Sequence, residues 1–368
     1  MNQGFWAKLP RPFFALAPMA DVTDAAFRRV VAECGKPDVL WTEFVSADGL
    51  MKAPAVAKVA GEVAPREKLL ADLKFDASVE KPIVAQLFSS DPVAMEAAAK
   101  LCAEMGFDGI DINMGCPDKS IERQGAGAAM IRTPEKAREV MRAAKRGAHN
   151  LPLSVKTRLG YGKDEMETWL AVLLEERPAA ITVHARTRKE MSLVPARWER
   201  IADAVKFRDS WSDANKIPAG ERTLIVGNGD VRSLEDGREK AASSKADGVM
   251  VGRAALGNPW FFAEDDPLRR FSPFFQSEDY AHKHDGEAFE SQAIEITPEL
   301  VRRRLDTLAR HIQLFAELLP HKSFATMKKH FKAYVSGWEG AKALRFALME
   351  CQDAAEALAV LSLQSRTL

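Results

Sequence analysis

The segment Gly109-Ile110-Asp111-Ile112-Asn113-Met114-Gly115-Cys116-Pro117 sets the pattern on which the rest of the chain is built. Polar and β-branched residues alternate over its first five positions, which predicts a strand that Gly115 and Pro117 then end. Cys116 therefore lies just past the carboxyl end of a strand. A free cysteine is more often a small buried hydrophobe than a reactive group. A catalytic role for Cys116 thus depends on related chemistry at the neighbouring strand ends.

Short apolar runs alternate with longer amphipathic segments from Phe13 to about Trp260, which is typical of repeated βα units around a parallel sheet. The predicted strands are Phe14–Ala17, Val39–Glu43, Ile83–Gln86, Gly109–Asn113, Leu153–Lys156, Ala180–His184, Leu224–Gly227 and Gly248–Val251. Eight strands close a barrel, and about 250 residues is its usual length. We therefore predict an α/β fold, a (β/α)8 TIM barrel over residues 1–262, followed by a C-terminal all-helical domain.

The chain after the barrel divides into two parts. Residues 263–296 are polar and broken by proline, which indicates a linker or surface insertion. Its His282 and His284 form a His-x-His pair, but no third ligand accompanies them, so we predict a solvated loop and no metal site. From Thr297-Pro298-Glu299, a typical helix start, the periodicity is helical to the end of the chain. Residues 297–368 are therefore predicted to be the helical domain.

The 368-residue chain has 52 Lys+Arg and 52 Asp+Glu, so a nucleic-acid partner must be met by a local basic patch. Residues 298–345 supply one, with ten basic and four acidic residues and a net charge of +6. The basic residues are Arg302, Arg303, Arg304, Arg310, Lys322, Lys328, Lys329, Lys332, Lys342 and Arg345. Interleaved aromatics, Phe324, Phe331, Tyr334 and Trp338, suit either RNA stacking or a helical core.

The cysteines and the amino terminus indicate the compartment. Cys34, Cys102, Cys116 and Cys351 form no C-x-x-C pair and no zinc-like spacing, which predicts a reduced protein without structural disulfides. Residues 1–12 lack the apolar core of a signal peptide, and no stretch approaches the length of a membrane span. We therefore expect a soluble, cytoplasmic protein with no membrane partner, and a monomer.

Side chains able to do chemistry follow several of the predicted strands. The carboxyl ends of the strands of a (β/α)8 barrel meet around one active site. The first, third, fourth, fifth and sixth strands lead into Pro18-Met19-Ala20, Gln86, Asn113 with Cys116, Lys156 with Arg158, and His184 with Arg186. We therefore expect amides, cations and a thiol to line one pocket.

The last two strands lead into glycine turns, Asn228-Gly229-Asp230 and Gly252-Arg253. In this architecture the loops after strands 7 and 8 form a phosphate site, where glycines let N–H groups approach the anion and an arginine can bind two of its oxygens. A phosphate site facing a thiol suggests flavin mononucleotide (FMN), with its phosphate at these turns. Lys156 and Gln86 then reach the N1/C2-oxygen side of the flavin ring.

Two other functions use part of these residues. A Schiff-base lyase or aldolase uses a lysine such as Lys156 to bind a carbonyl substrate, but it leaves Cys116 and Asn113 without a role. A non-catalytic RNA-binding protein on a barrel without activity needs only the basic segment and none of the strand-end residues. Borohydride trapping of a carbonyl substrate on Lys156 would favour the lyase.

The motifs taken together resemble the bacterial tRNA-dihydrouridine synthases. They are Ala17-Pro18-Met19-Ala20-Asp21-Val22-Thr23-Asp24, Thr42-Glu43-Phe44, residues 111–117, Val155-Lys156-Thr157-Arg158, His184-Ala185-Arg186-Thr187-Arg188, Asn228-Gly229-Asp230 and Gly252-Arg253-Ala254-Ala255. The resemblance covers residues 14–262 and extends to the C-terminal helices through Lys328-Lys329-His330. The loop at 189–198 departs from the family's pattern, and the insertions at 58–81, 207–222 and 264–296 lack family counterparts.

The resemblance implies a two-step reaction in which NADPH reduces FMN and the flavin reduces the C5–C6 bond of a uridine in tRNA. Cys116 is implied to be the general acid that protonates C5 while hydride passes from flavin N5 to C6. An unperturbed thiol has a pKa of about 8.5, so it holds its proton at neutral pH. The implied FMN ligands are Pro18, Met19, Ala20, Gln86, Lys156, His184, Asn228, Gly229, Asp230, Gly252 and Arg253. The implied substrate contacts are Asn113, Arg158, Arg186, Lys328 and Lys329.

Overall fold

Eight parallel strands form a closed barrel in the structure, a computed structural model that describes residues 3–55, 63–271 and 296–365. The strands are β1 (Phe13–Leu16), β2 (Leu40–Ser46), β3 (Ile83–Phe88), β4 (Gly109–Met114), β5 (Leu153–Arg158), β6 (Ala180–His184), β7 (Leu224–Asn228) and β8 (Gly248–Val251). Each pairs with its sequence neighbour from β2 to β8, and β8 pairs with β1. A bridge between Ala15 and Val39 closes the ring. The predicted (β/α)8 barrel is confirmed.

Helices alternate with the strands and cover the barrel. They are α1 (Ala25–Gly35), α2 (Ala47–Lys52), α3 (Pro65–Asp72), α4 (Pro92–Glu104), α5 (Lys119–Arg123), α6 (Pro134–Ala148), α7 (Met166–Glu175), α8 (Trp198–Ala214) and α9 (Leu234–Ser244). Local sequence explains how α4 begins: the Asp91 carboxylate accepts the Val93 N–H at 2.9 Å, and Pro92 takes the first position, where its missing N–H needs no partner. Cys102 of α4 is fully buried, as expected for a structural cysteine.

The strands β3, β5 and β7 run one or two residues past their predicted ends. The residues added to β5 and β7 are polar, and they stay in the sheet because strand pairing depends on backbone hydrogen bonds and tolerates polar side chains. The register pairs Gln86 with Asp111, Asn113 with Lys156, and Arg158 with His184. These functional side chains are therefore held by the sheet itself.

The all-helical part follows the barrel, as predicted. It contains α10 (Pro298–Leu318), α11 (Lys328–Tyr334), α12 (Ala341–Glu350) and α13 (Ala354–Ser365). Thr297 caps α10, since its side chain accepts the Leu300 N–H at 3.3 Å, so the predicted start is confirmed. The buried face of these helices forms one apolar cluster with Ala25, Ala26 and Val30 of α1. The barrel and the helical part therefore share a hydrophobic interface.

The aromatic side chains of the basic segment belong to this cluster. Phe331 and Tyr334 are fully buried, and Phe324 and Trp338 are half-buried against the same apolar residues. Helical spacing thus places them in a core, and they do not form a surface on which RNA bases can stack.

Part of the basic segment also joins the helical part to the rest of the chain. Four of its ten cations pair with acids outside it: Lys322 with Glu43 at 2.6 Å and Asp72 at 3.2 Å, Arg303 with Asp266 at 2.5 Å, Arg310 with Glu33 at 2.9 Å, and Lys329 with Asp21 at 3.8 Å. Arg304 is fully buried and donates to backbone carbonyls. The charge available to a nucleic acid is therefore smaller than the sequence count of +6.

Replacing Lys322 with methionine should destabilise the protein by about 3 kcal/mol. The change leaves the Glu43 carboxylate, whose side chain is 9% exposed, without its cation, and breaking a buried pair costs more than removing both partners. Chemical denaturation measures the loss. Lys332→Met, at an exposed position of α11, is the matched control and should stay within about 0.5 kcal/mol of wild type. Equal stability of the two variants would contradict an anchoring role for Lys322.

The insertions predicted from the sequence have simple forms where they are described. Residues 207–222 lengthen α8 and end in a 3-10 turn at Ala219–Glu221. His282 and His284 lie outside the described residues. Within residues 3–55, 63–271 and 296–365, no cluster of three or more His, Cys, Asp or Glu side chains is arranged to hold a metal ion. In the same ranges no helix is both long and apolar enough to cross a bilayer.

Candidate active site

A pocket opens at the carboxyl ends of β1 and of β5 to β8. Its lining includes Pro18, Met19, Lys156, His184, Asn228, Gly229, Asp230, Gly252 and Arg253, together with Ser192 of the loop after β6. Apart from Ser192, these nine lining residues are among the eleven that the sequence predicted to bind a cofactor. The other two lie apart from the lining: Ala20 is exposed at the rim, and Gln86 is fully buried next to Asp111. The structure therefore brings most of the nominated residues into one cavity.

The turn after β7 requires glycine for two reasons. Gly229 has φ +127°, and a Cβ there would lie 2.8 Å from the Cβ of Ala196. The following residue, Asp230, also has a positive φ of 47°. The chain thereby reverses tightly, and the Asp230 carboxylate turns back toward the basic residues of the pocket.

Asp230 connects two arginines below the turn. One carboxylate oxygen accepts Arg253 Nη2 at 2.6 Å, and the other accepts Arg186 Nη2 and the Ala196 N–H. Arg186 is fully buried, and its Nε donates to the Val194 carbonyl. The Arg186 guanidinium thus holds Asp230 and the loop after β6, and its predicted substrate contact stays a prediction. The side chain of Arg253 remains 32% exposed beside the pocket.

Lys156 lies inside the pocket wall as a cation. Its Nζ donates to Asn228 Oδ1 at 3.0 Å, and Asn228 in turn donates to the Met250 carbonyl at 2.8 Å. Burial lowers the pKa of Lys156 to about 8, and the nearby charge of Arg158 acts in the same direction. The amine is therefore mostly protonated at neutral pH but titrates within the range in which enzymes are assayed.

His184 is neutral. Burial lowers its pKa well below the usual value, and the surrounding cations Arg158 and Lys156 add to the effect. Arg186 Nη1 lies 3.2 Å from His184 Nε2. Because a guanidinium can only donate, Nε2 accepts, and the proton of the neutral ring is on Nδ1.

Cys116 lies on a loop that is tied to the barrel from two sides. Asn113 Oδ1 accepts the N–H groups of Gly115 and Cys116 at 3.1 and 2.8 Å. Arg158 Nε donates to the Gly115 carbonyl at 2.7 Å, while its Nη1 donates to the Thr187 and Met191 carbonyls of the loop after β6. A single guanidinium thus holds the cysteine loop against the loop that lines the pocket.

The Cys116 thiol is half-buried and protonated. Its side chain packs against the small apolar cluster of Phe88, Ile121 and Ala126. Burial raises the pKa of the thiol above its ordinary value, although the Asp118 N–H and the cations Arg158 and Lys156 act in the opposite direction. A thiol in this state can donate a proton at neutral pH.

Lys328 and Lys329 lie at the start of α11, away from the pocket lining. Lys329 is 3.8 Å from Asp21, which follows the Pro18-Met19-Ala20 turn, so α11 contacts the same face of the barrel as the pocket. Their predicted contact with tRNA stays a prediction.

Sequence reasoning gave no individual role to Asp111, which it quoted within a motif, or to Lys322, which it counted in the basic segment. Asp111 alternates with Asn113 along β4 and pairs in register with Gln86, so the strand period places all three on one side of the sheet. That alternation was the available signal. The sequence held no signal for the ion pairs of Lys322, because its partners Glu43 and Asp72 are remote in sequence.

A family model described as dihydrouridine synthase matches residues 15–367. The chain belongs to the dihydrouridine synthase family. A probable tRNA-dihydrouridine synthase of Staphylococcus aureus (strain COL) is 36% identical over 364 residues, which cover 98% of this chain and 95% of that protein. A probable tRNA-dihydrouridine synthase 2 of Bacillus subtilis (strain 168) is 35% identical, covering 98% and 96%. Among solved structures, a 2-naphthoyl-CoA reductase complex covers 68% of this chain and 49% of its own at a TM-score of 0.48 and 11% identity, too distant to bear on function.

Membership of the dihydrouridine synthase family confirms the resemblance seen in the motifs and makes the chain an enzyme, an oxidoreductase. It decides against a Schiff-base lyase and against a non-catalytic RNA-binding protein.

Proposed function

We propose that the enzyme reduces the C5–C6 double bond of uridine in tRNA to 5,6-dihydrouridine, with FMN as cofactor, NADPH as reductant and Cys116 as proton donor. One observation carries the proposal: Arg158 ties the loop of the protonated Cys116 to the loop after β6. That second loop lines the pocket, whose other lining residues include Lys156, His184 and Arg253. A proton source and an anion-binding cavity therefore adjoin on one face of the barrel.

The pocket residues fit FMN by their chemistry. The partly exposed Arg253 guanidinium, beside the close turn at Gly229, suits a phosphate, and the Lys156 cation suits an electron-rich ring oxygen. When bound, FMN supplies the hydride that the thiol cannot. Asn228 orients the Lys156 amine, and neutral His184 offers its Nδ1 proton as a donor.

Asn113 and Arg158 each use some of their hydrogen-bonding groups to hold the Cys116 loop and leave others for the substrate. Asn113 Oδ1 is used by two backbone N–H groups, and its Nδ2 donates to Gln86 at 3.0 Å with one of its two hydrogens. Arg158 uses Nε and Nη1 for backbone carbonyls. One N–H of Asn113 and the Nη2 group of Arg158 thus stay available for the uracil oxygens, while Cys116 presents its proton to C5.

A tRNA substrate explains the remaining exposed cations. A stacked base cannot reach a barrel pocket, so the target uridine must turn out of its helix while the phosphates are held elsewhere. Lys332 and Lys342 are exposed, and Lys328 is half-exposed. A tRNA substrate also implies a cytoplasmic enzyme, and we propose a helical tRNA-binding domain at 297–368 and a monomer.

Changing Lys328, Lys332 and Lys342 together to alanine should weaken tRNA binding and flatten its salt dependence. Each phosphate contact that a variant removes reduces the magnitude of the negative slope of log K against log salt by about 0.7 to 0.9, so the triple variant should reduce it by about 2 to 3. Filter binding over a salt series measures the slope. A control with Lys100, Lys136 and Lys206 changed to alanine removes equal charge from barrel helices and should keep the wild-type slope. Identical slopes in both variants would argue against this tRNA surface.

The proposed function is tested with purified protein, NADPH and unmodified tRNA transcripts. We expect a yellow protein that releases FMN on denaturation and adds two hydrogens to a uridine, detected by mass spectrometry of the digested tRNA. A colourless protein that FMN cannot reconstitute, or one that leaves every uridine unchanged, would overturn the proposal.

A further inference from the structure

Three buried polar side chains form a continuous row from the middle of β4 to the backbone of Cys116. Asp111 Oδ2 accepts Gln86 Nε2 at 2.6 Å, and Gln86 Oε1 accepts Asn113 Nδ2 at 3.0 Å. Asn113 Oδ1 then accepts the N–H groups of Gly115 and Cys116. Asp111 and Gln86 are fully buried and Asn113 is 6% exposed, so water cannot readily replace any of these partners.

The direction of every bond in this row is fixed by its two ends. A backbone N–H only donates and an ionised carboxylate only accepts, whereas each amide side chain has one donating and one accepting end. Only one arrangement satisfies all of them: each amide turns its NH2 group toward Asp111 and its oxygen toward Cys116. A carboxylate thus sets the orientation of two amides and, through them, of the cysteine loop.

We propose that Asp111 is a positioning residue, which holds the Cys116 loop in place by fixing the orientation of the Gln86 and Asn113 side-chain amides. The inference rests on the proposed function only in giving Cys116 the role of proton donor. Burial raises the pKa of Asp111 to about 6, against the hydrogen bonds from Ser154 and Gln86, so the carboxyl is mostly ionised at neutral pH, as the row requires.

An amide at position 111 reverses the row. Ser154 Oγ donates to Asp111 Oδ1 at 2.6 Å, whereas its other acceptor, the Ile110 carbonyl, is 3.4 Å away. The shorter bond favours an asparagine that keeps its oxygen toward Ser154 and turns its NH2 group toward Gln86. Gln86 and then Asn113 must turn over in response. The Asn113 NH2 group then faces the N–H of Cys116, donor against donor, and the loop is released.

The test is Asp111→Asn, read by the rate at which iodoacetamide alkylates Cys116 in the purified protein. Release of the loop exposes the thiol and lowers its pKa toward the ordinary value, so a larger fraction is thiolate and we expect alkylation to be about tenfold faster. The buried Cys102 in the same digest is the internal reference and should not change. Dihydrouridine formation at saturating tRNA should fall in parallel.

The double variant Asp111→Asn with Gln86→Glu moves the carboxylate one step along the row. The introduced glutamate side chain accepts from the new asparagine and from Asn113, so Asn113 regains its native orientation and alkylation should return to within about threefold of wild type. Ser154→Ala, which leaves the Asp111–Gln86 bond in place, is the matched control and should alkylate at the wild-type rate.

Three results would overturn the inference: a wild-type alkylation rate in Asp111→Asn, no recovery in the double variant, or acceleration in Ser154→Ala equal to that in Asp111→Asn. If Asp111→Asn does not fold alone, a folded double variant supports the row and an unfolded one contradicts it. Because alkylation needs neither flavin nor tRNA, a wild-type protein that forms no dihydrouridine would refute the proposed function while leaving this test intact.

Discussion

Cys116→Ala should keep the flavin and its reduction by NADPH but lose dihydrouridine formation by about 10²- to 10⁴-fold, the usual contribution of a general acid. The variant removes the proton for C5 and leaves the pocket residues in place, because Cys116 is absent from the lining around Lys156 and Arg253. Single-turnover mixing of the reduced enzyme with tRNA separates the two half-reactions. Equal product rates in variant and wild type would remove the assigned role.

The pH dependence of that rate gives a second view of Cys116. Burial raises the pKa of the Cys116 thiol, so the proton donor stays protonated to a higher pH than an ordinary thiol, and the rate of dihydrouridine formation should fall only on the alkaline side of the ordinary thiol range. We expect that alkaline fall in wild type and in Cys351→Ala, a control at a buried cysteine of the helical part. The residual rate of Cys116→Ala should not show it.

The alternation along β4, and of strands with helices generally, was sufficient to predict the barrel. The prediction succeeded because each of the eight parallel strands is a short, largely apolar run, and a longer amphipathic segment separates each strand from the next. Strand ends were less predictable: Arg158 and Asn228 lie past the predicted ends, yet they belong to β5 and β7 because backbone pairing continues through them.

The candidate site was predicted as a set of residue types more reliably than as a set of roles. Glycine turns and strand-end residues identify the pocket, since barrel geometry brings them together. Arg186 shows the limit, because only its three-dimensional partners Asp230 and Val194 reveal that it is buried. The basic segment shows another limit, since Lys322 and Arg310 pair with acids about 280 positions away.

Lys156→Met should slow the reduction of bound FMN by NADPH by about 10- to 100-fold, the loss expected for one charge-assisted hydrogen bond of about 1.5 to 3 kcal/mol. The Lys156 amine is the cation that the pocket offers to negative charge on the flavin, with Asn228 holding it at 3.0 Å. Stopped-flow absorbance of the flavin measures the rate. Lys145→Met, a half-buried lysine of α6 whose Nζ donates to the Glu176 carbonyl, is the control and should not slow it.

The pH dependence of flavin reduction distinguishes an effect of the charge on Lys156 from an effect of the size of its side chain. Because burial lowers the pKa of Lys156 to about 8, the cation is present below that pH and disappears as the pH rises through it. Flavin reduction in wild type should therefore fall through about pH 8, whereas Lys156→Arg, which stays charged, should show no fall there even if its absolute rate is lower. Lys156→Met should be slow at every pH. In the described part of the chain no other lysine lines the pocket, so a fall near pH 8 can be assigned to Lys156. A wild-type profile that stays flat from about pH 6.5 to 9 would show that the charge on this amine does not control flavin reduction. A Lys156→Met profile that keeps the fall would show the same.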